Sequence, residues 1–355
     1  MQPGAGTDTK ITDPHRVARD PDPGLPGTAD LCPVSRGPSV DRAVRGRSST
    51  GPVEESVSPN TPVVVRCSSV TPNVDHNISV SGLEGLDDGL DERGRIRREG
   101  DLSRIDAAFA PLITQATPAV RRLLDQRLHS IYLYGSVPRG TAVVGQSDLD
   151  LEVVLHSEPT ETERAAIGRL AAELDQDTDV VNEVGIIVAS RPRLLSAAER
   201  YDNAFQISCL CTPLWGPDLA DELPDQYPTI ELARHITSGT QAAFTRLSAA
   251  LNDPATSRPD FLRQRVGRRI ARLAFACVLF RWPGWTSDPT TIQRVVSAFY
   301  PDHTDELATS IQLGWGRLTG HPPVTPDDHD KVIDLLTNSA PWWTDEHRKV
   351  TAKTR

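Results

Sequence analysis

Aromatic residues are missing from the first part of the chain: among 355 residues, the first Phe, Trp or Tyr is Phe109. Ahead of it, prolines crowd residues 3–72, and Gly, Ser, Thr and Asp fill much of the remainder. A segment of this composition buries too little apolar surface to offset the entropy lost on folding. We therefore expect a disordered tail over 1–98, with the folded structure beginning after it.

Charge and cysteine content exclude several classes of protein. A formal net charge of -10 disfavours nucleic acid as a partner. The five cysteines are an odd number in a chain without a recognisable secretion signal, so we expect buried thiols and not a disulfide framework. No apolar run approaches the length of a membrane span. These features predict a cytoplasmic protein with no membrane partner.

The order of secondary structure is readable from residue 100 onward. Strands are expected at 130–136, 147–156 and 180–190, and a helix at 160–175 separates the second strand from the third. A fourth strand is expected within "FQISCLCTPLWGPDL", residues 205–219. Two helices should precede the first strand, the second of them opened by Thr117 and Pro118.

Beyond Pro228 apolar residues recur every three or four positions, which is the spacing of amphipathic helices. The chain therefore predicts an α+β fold, in which a small mixed sheet over 99–227 precedes an all-α domain over 228–345.

The stretch "LYGSVPRGTAVVGQSDLDLEVVL", residues 133–155, places two carboxylates in an apolar strand. Asp148 and Asp150 are two positions apart, so they project from the same face. They would repel each other unless they share hard cations such as Mg²⁺, which prefers oxygen ligands. A pair of Mg²⁺ ions can activate an attacking hydroxyl and neutralise charge on a transferring phosphoryl group. The alternative is a solvated pair of aspartates at the end of a strand.

The turn before these aspartates has the features of a phosphate cradle. Gly135 lets the backbone approach a phosphate closely, and Ser136 supplies a hydroxyl. Together with the aspartate pair, the turn predicts a triphosphate site beside two Mg²⁺ ions.

These residues resemble the nucleotidyltransferase superfamily typified by DNA polymerase beta, whose pattern is an apolar strand, Gly-Ser, a linker and Asp-x-Asp. "RGTA" and "SDLDL" look most like the aminoglycoside-type and minimal nucleotidyltransferases. The resemblance implies ATP or another nucleoside triphosphate as co-substrate. It also implies nucleotide contacts from four residues, which are Gly135, Ser136, Arg139 and Ser147.

The same family implies a third carboxylate on a neighbouring strand, as a metal ligand or as a proton acceptor. Glu183 is the candidate because Gly185, two residues on, leaves room for a ligand on the same face. Asp179 has the same parity and remains the alternative.

Three functions are compatible with these features. The first is Mg²⁺-dependent transfer of AMP from ATP to a hydroxyl of a small molecule, such as an aminoglycoside-like antibiotic, in which case the protein would confer resistance. The others are adenylylation of a protein or tRNA, as in toxin-antitoxin pairs, and a non-catalytic nucleotide-sensing module.

Four arginines in the helical half recur at helical spacing and form a stripe beside the apolar face. The stripe either lies over the cleft of the site or is a solvated helix face. It comprises Arg265, Arg268, Arg269 and Arg272.

Overall fold

A computed structural model describes residues 82–251, 259–316 and 328–352. Most of the expected tail, residues 1–81, lies outside these ranges, as do Cys32 and Cys67. The described residues form a four-stranded sheet flanked by helices, followed by an all-helical region. The predicted α+β fold is confirmed.

The sheet is mixed and positions the aspartate pair near its centre. Its strands are β1 Leu128–Tyr134, β2 Leu149–Leu155, β3 Val184–Ser190 and β4 Thr212–Trp215. They are arranged in the order β3-β2-β1-β4. Strand β1 is antiparallel to β2 and β4, whereas β2 and β3 are parallel. The parallel pair requires a crossover, which a helix between the two strands supplies.

Twelve helices accompany these strands within the described ranges. They are α1 Ala110–Leu124, α2 Ser136–Arg139, α3 Glu161–Gln176, α4 Arg191–Leu194, α5 Asn203–Phe205, α6 Ile230–Ile236, α7 Thr240–Leu251, α8 Pro259–Ala276, α9 Pro289–Phe299, α10 Thr304–Trp315, α11 Asp328–Asp334 and α12 Ala340–Ala352. Two π-helical turns, Gln206–Leu210 and Leu335–Ser339, extend α5 and join α11 to α12. None of the helices in these ranges is long and apolar enough to cross a bilayer.

The two faces of the sheet differ in what covers them. On one face, apolar residues of β1 and β2 such as Leu133 and Leu151 form a core with α1 and α3. On the other face, Tyr132 and Tyr134 pack beneath Ile207 of the first π-helical turn. Both faces are thereby covered, so the strands are buried along most of their length.

The helical region has its own core around α8. Helices α8 and α10 cross so closely that a Cβ on Gly267 would lie 2.3 Å from the Ser310 carbonyl oxygen. Trp343 is completely buried in this core. Cys209 and Cys277 are buried in this core and Cys211 is buried against the sheet, as expected.

The predicted tail extends too far, because residues 82–98 are folded against the rest of the protein. Leu83, Leu86 and Leu90 pack against the helical core, and Ile96 is buried. An antiparallel bridge joins Leu90 to Ile96. The segment contains no aromatic residue, but it packs against the apolar core of the helical region, which residue composition does not reveal.

Two local predictions also differ from the structure. Pro118 lies inside α1 and does not open a second helix. The helix continues past it because one apolar stripe, from Leu112 to Leu124, stays packed on the core. The fourth strand is restricted to β4, since the Gln206–Leu210 part of the predicted strand is π-helical.

Candidate active site

The candidate site lies where β1 ends and β2 begins. Asp148 directly precedes β2, and Asp150 is its second residue. In the sheet, Asp150 pairs with Tyr134 of β1 on one side and with Gly185 of β3 on the other. Gly185, which has no side chain, is therefore the direct neighbour of Asp150 on the β3 side.

Gly135 brings the turn after β1 into contact with this carboxylate. Its φ of 81° is unfavourable for other residues. A Cβ at this position would lie only 2.7 Å from Asp150 Oδ2. Ser136 then begins α2, and the first N–H groups of any helix have no carbonyl partner within it. The Gly-Ser turn therefore lies against the Asp150 carboxylate, and the first turn of α2 follows it directly.

The Asp150 carboxyl is in an unfavourable environment for a negative charge. Its Oδ1 is enclosed and has no hydrogen-bond partner among the residues that the structure describes. Burial raises the pKa of Asp150 to about 8, and the negative charges of Asp148 and Glu183 add to the effect. Arg268 and Arg139 act in the opposite direction without overcoming it. An added cation would stabilise the ionised form.

Asp148 and Glu183 lie beside each other on neighbouring segments. Asp148 Oδ1 accepts a hydrogen bond of 2.9 Å from Asn182 Nδ2. Glu183 was predicted inside the third strand but lies just before β3, where its carbonyl accepts from Leu149 N at 2.9 Å. Asp179, the alternative, is exposed in the preceding loop. Of the two, Glu183 is the residue whose charge raises the pKa of Asp150.

The carboxylates do not form a closed metal cage. No group of three or more His, Cys, Asp or Glu side chains within the described ranges is arranged to hold a metal ion. The site nevertheless supplies an enclosed, unpartnered oxygen on Asp150 and the carboxylate of Asp148 nearby. Mg²⁺ is commonly held by one or two carboxylates, with water and substrate phosphates completing its shell. The donor set therefore fits Mg²⁺ in an open site.

Two of the predicted nucleotide contacts are already engaged with protein groups. Ser147 is buried, and its Oγ accepts a 2.9 Å hydrogen bond from Val143 N, which closes the turn before Asp148. Arg139 Nη1 donates to Ser287 Oγ at 2.6 Å and to Glu99 Oε2 at 3.3 Å. Ser147 therefore holds the turn in place, and Arg139 is tied to the helical region.

Arg268, one of the four arginines of the stripe on α8, lies close enough to the site to change the pKa of Asp150. Its charge lowers the pKa of Asp150, so it is not a purely solvated side chain. Its Nε donates to the Gly314 carbonyl at 2.7 Å, and its guanidinium lies 5.6 Å from the Trp315 ring centroid. The helical region thus contributes a positive charge to the candidate site.

Glu152 of β2 is a further acidic residue near the site that was not predicted from the sequence. Glu152 is buried, and its Oε2 accepts a 2.6 Å hydrogen bond from Gln206 Nε2. Burial raises its pKa to about 8. The buried hydroxyl of Tyr134 lacks a hydrogen-bond partner within the described ranges. The signal was available, because Asp148, Asp150 and Glu152 have the same parity along the strand.

Comparisons with known proteins give weak similarities only. No family model and no curated protein matches the chain. Among solved structures it is similar to spectinomycin adenyltransferase AAD(9) from Enterococcus faecialis with ATP and spectinomycin. The identity is 14% and the TM-score 0.44, over 65% of this chain and 99% of that one.

Two toxin-antitoxin structures are also similar. One contains AMP-PNP, at 24% identity and a TM-score of 0.23, and covers 39% of this chain and 95% of that one. The other is a mutant of MntA-HpeT, at 20% identity and a TM-score of 0.20, over 39% of this chain and 96% of that one. These values are too low to assign the chain to a family.

Proposed function

We propose that the protein is a Mg²⁺-dependent nucleotidyltransferase that moves a nucleoside monophosphate, expected to be AMP from ATP, to a hydroxyl of a small molecule. One observation carries this proposal. The Asp150 carboxyl has an enclosed, unpartnered oxygen, lies beside Asp148 and is pressed against the Gly135 turn. Such an arrangement is unfavourable in the protein alone and becomes favourable when a cation and its phosphate ligands occupy it.

Different groups of the site would bind the metal ion and the phosphates of the nucleotide. Asp148 and Asp150 would hold Mg²⁺, which when bound neutralises charge on the triphosphate and activates the attacking hydroxyl. The backbone N–H groups at Ser136 and Val137 bind phosphate oxygens. Arg139 and Arg268, whose charges already act on Asp150, add positive charge from two sides of the site.

We assign Glu183 the role of proton acceptor. In the transfer, the acceptor hydroxyl oxygen forms a bond to the α-phosphorus, and the bond from that phosphorus to pyrophosphate breaks. The hydroxyl proton passes to the Glu183 carboxylate, which lies next to Asp148 and Asp150. The base role fits better than that of a third ligand, since no three-residue metal cluster occurs in the described part of the chain.

A small acceptor fits the surroundings of the site better than a long nucleic acid. The net charge of -10 opposes a polyanionic partner and favours a neutral or cationic molecule. The helical region approaches the site through Arg268 of α8, so an acceptor would bind between this region and the sheet.

The test is pyrophosphate release by the full chain with Mg²⁺, ATP and a panel of neutral and cationic hydroxyl compounds. Asp150→Asn should reduce release by orders of magnitude, because it removes charge that the cation needs while keeping the side-chain shape. Asp179→Asn is the matched control, an acid-to-amide change in the exposed loop, and should retain activity. Equal activity in Asp150→Asn and wild type would contradict the proposed function.

A further inference from the structure

Glu99 lies at a junction of three parts of the molecule. Its carboxylate accepts hydrogen bonds from Trp285 Nε1 at 2.8 Å, from Ser287 Oγ at 2.5 Å and from Arg139 Nη1 at 3.3 Å. The Glu99 side chain is only 12% exposed, and that of Arg139 25%. An ion pair in so protected a position is screened less by water than a surface pair.

The three partners come from two elements. Arg139 is the last residue of α2, which follows the Gly-Ser turn. Trp285 and Ser287 lie in the loop between α8 and α9 of the helical region. Ser287 Oγ also accepts a 2.6 Å hydrogen bond from Arg139 Nη1. Glu99 therefore joins the turn of the candidate site to the helical region.

Residues 82–101, which we call the strap, hold Glu99 in place on both sides. The Glu99 N–H donates to the Cys209 carbonyl at 2.9 Å, and Asp101 N donates to the Pro138 carbonyl at 2.8 Å. At Gly100 the strap lies so close to its neighbours that a Cβ would be 2.3 Å from Thr212 Oγ1. The strap is thus fixed by main-chain hydrogen bonds to α2 and to the π-helical turn Gln206–Leu210, and it lies against the first residue of β4.

We propose that Glu99 is a positioning residue that holds the Arg139 guanidinium ready for the triphosphate. The inference rests on the proposed function, in which Arg139 contacts a phosphate. A free arginine side chain loses rotamer entropy when it binds, and an arginine already held in place loses less. Both contacts of Arg139 use Nη1, so Nη2 and Nε of the same guanidinium are not committed to them.

The carboxylate charge is what Glu99 contributes to Arg139. In Glu99→Gln, the amide oxygen can still accept from Trp285 Nε1, so packing at the junction is largely kept. The amide nitrogen, facing Arg139, offers a donor to a donor and breaks that contact. The change therefore releases Arg139 without emptying the site of the side chain.

A double-mutant cycle tests the inference by comparing wild type, Glu99→Gln, Arg139→Gln and the double variant in pyrophosphate release. Glu99→Gln should raise KM for ATP about tenfold, the size expected when a released arginine side chain has to lose its rotamer entropy on binding, while kcat changes little. In the Arg139→Gln background the same substitution should have no further effect on KM. A melting curve for each variant separates this from loss of folding.

Asp218→Asn provides the matched control, since it weakens the 2.7 Å ion pair that Asp218 makes with Arg98 of the strap. It should leave KM for ATP unchanged. The inference is overturned if Asp218→Asn raises KM as much as Glu99→Gln does. It is also overturned if Glu99→Gln lowers KM, or if its effect is the same in both Arg139 backgrounds. Should wild type release no pyrophosphate, the proposed function fails, and this inference fails with it.

Discussion

The two faces of strand β2 differ in chemistry, although its seven residues simply alternate between them. One face presents Leu149, Leu151, Val153 and Leu155, all fully buried in an apolar core. The other presents the buried Val154 together with Asp150 and Glu152, two carboxyls whose pKa burial raises to about 8. The apolar face stabilises the fold. The acidic face opposes it unless the carboxyls are neutralised, which is typical of a site built for a cation.

The largest effect on stability is expected on the apolar face. Leu155→Ala, at the end of β2 away from the aspartates, should lower the free energy of unfolding by about 2–5 kcal/mol because it leaves a cavity in a tightly packed core. Chemical denaturation measures this change. Turnover per folded molecule should stay near the wild-type value, and a selective loss of turnover would show that the two faces are not separable.

A smaller and pH-dependent effect is expected for Glu152→Gln. The glutamate pKa rises from an ordinary 4.5 to about 8 on folding. Between these values the folded carboxyl keeps its proton while the unfolded one ionises, so wild type loses stability as pH rises through this window. Gln keeps an oxygen for Gln206 Nε2 and does not titrate.

The advantage of Glu152→Gln over wild type should therefore grow from pH 4.5 to 8 and be constant above it. Denaturation at several pH values in EDTA measures the difference between the two proteins. A variant whose stability relative to wild type falls as pH rises through this window would mean that the ionised glutamate supports the fold.

The faces also differ in how well sequence alone predicted them. The period of two along β2 placed Asp150 on the face opposite the leucines, which the structure buries in the apolar core. Glu152 has the same parity, yet the pattern could not show that Gln206, in a distant turn, would bury it. That turn was itself predicted as strand, since its apolar composition suits a buried strand as well as a buried helical turn.

The strap shows the same limit at longer range. Residues 82–98 lack aromatic side chains and were predicted as tail, but Ile96 and three leucines pack against the helical core. The contact between Glu99 and Trp285 spans 186 positions of the chain. Local composition cannot predict such contacts, because the stabilising surface is supplied by another part of the molecule.

The most direct test of the acidic face is the stability of Asp150→Asn with and without Mg²⁺ and ATP. In EDTA the variant should equal or exceed wild type. Its advantage should grow as pH rises from about 3.8, the ordinary aspartate pKa, to about 8, because burial and Asp148 disfavour the ionised form that Asn replaces. With Mg²⁺ and ATP, the melting temperature of wild type should rise and that of the variant should not. A variant that is less stable in EDTA, yet gains as much from Mg²⁺ and ATP as wild type, would contradict a cation site at Asp150.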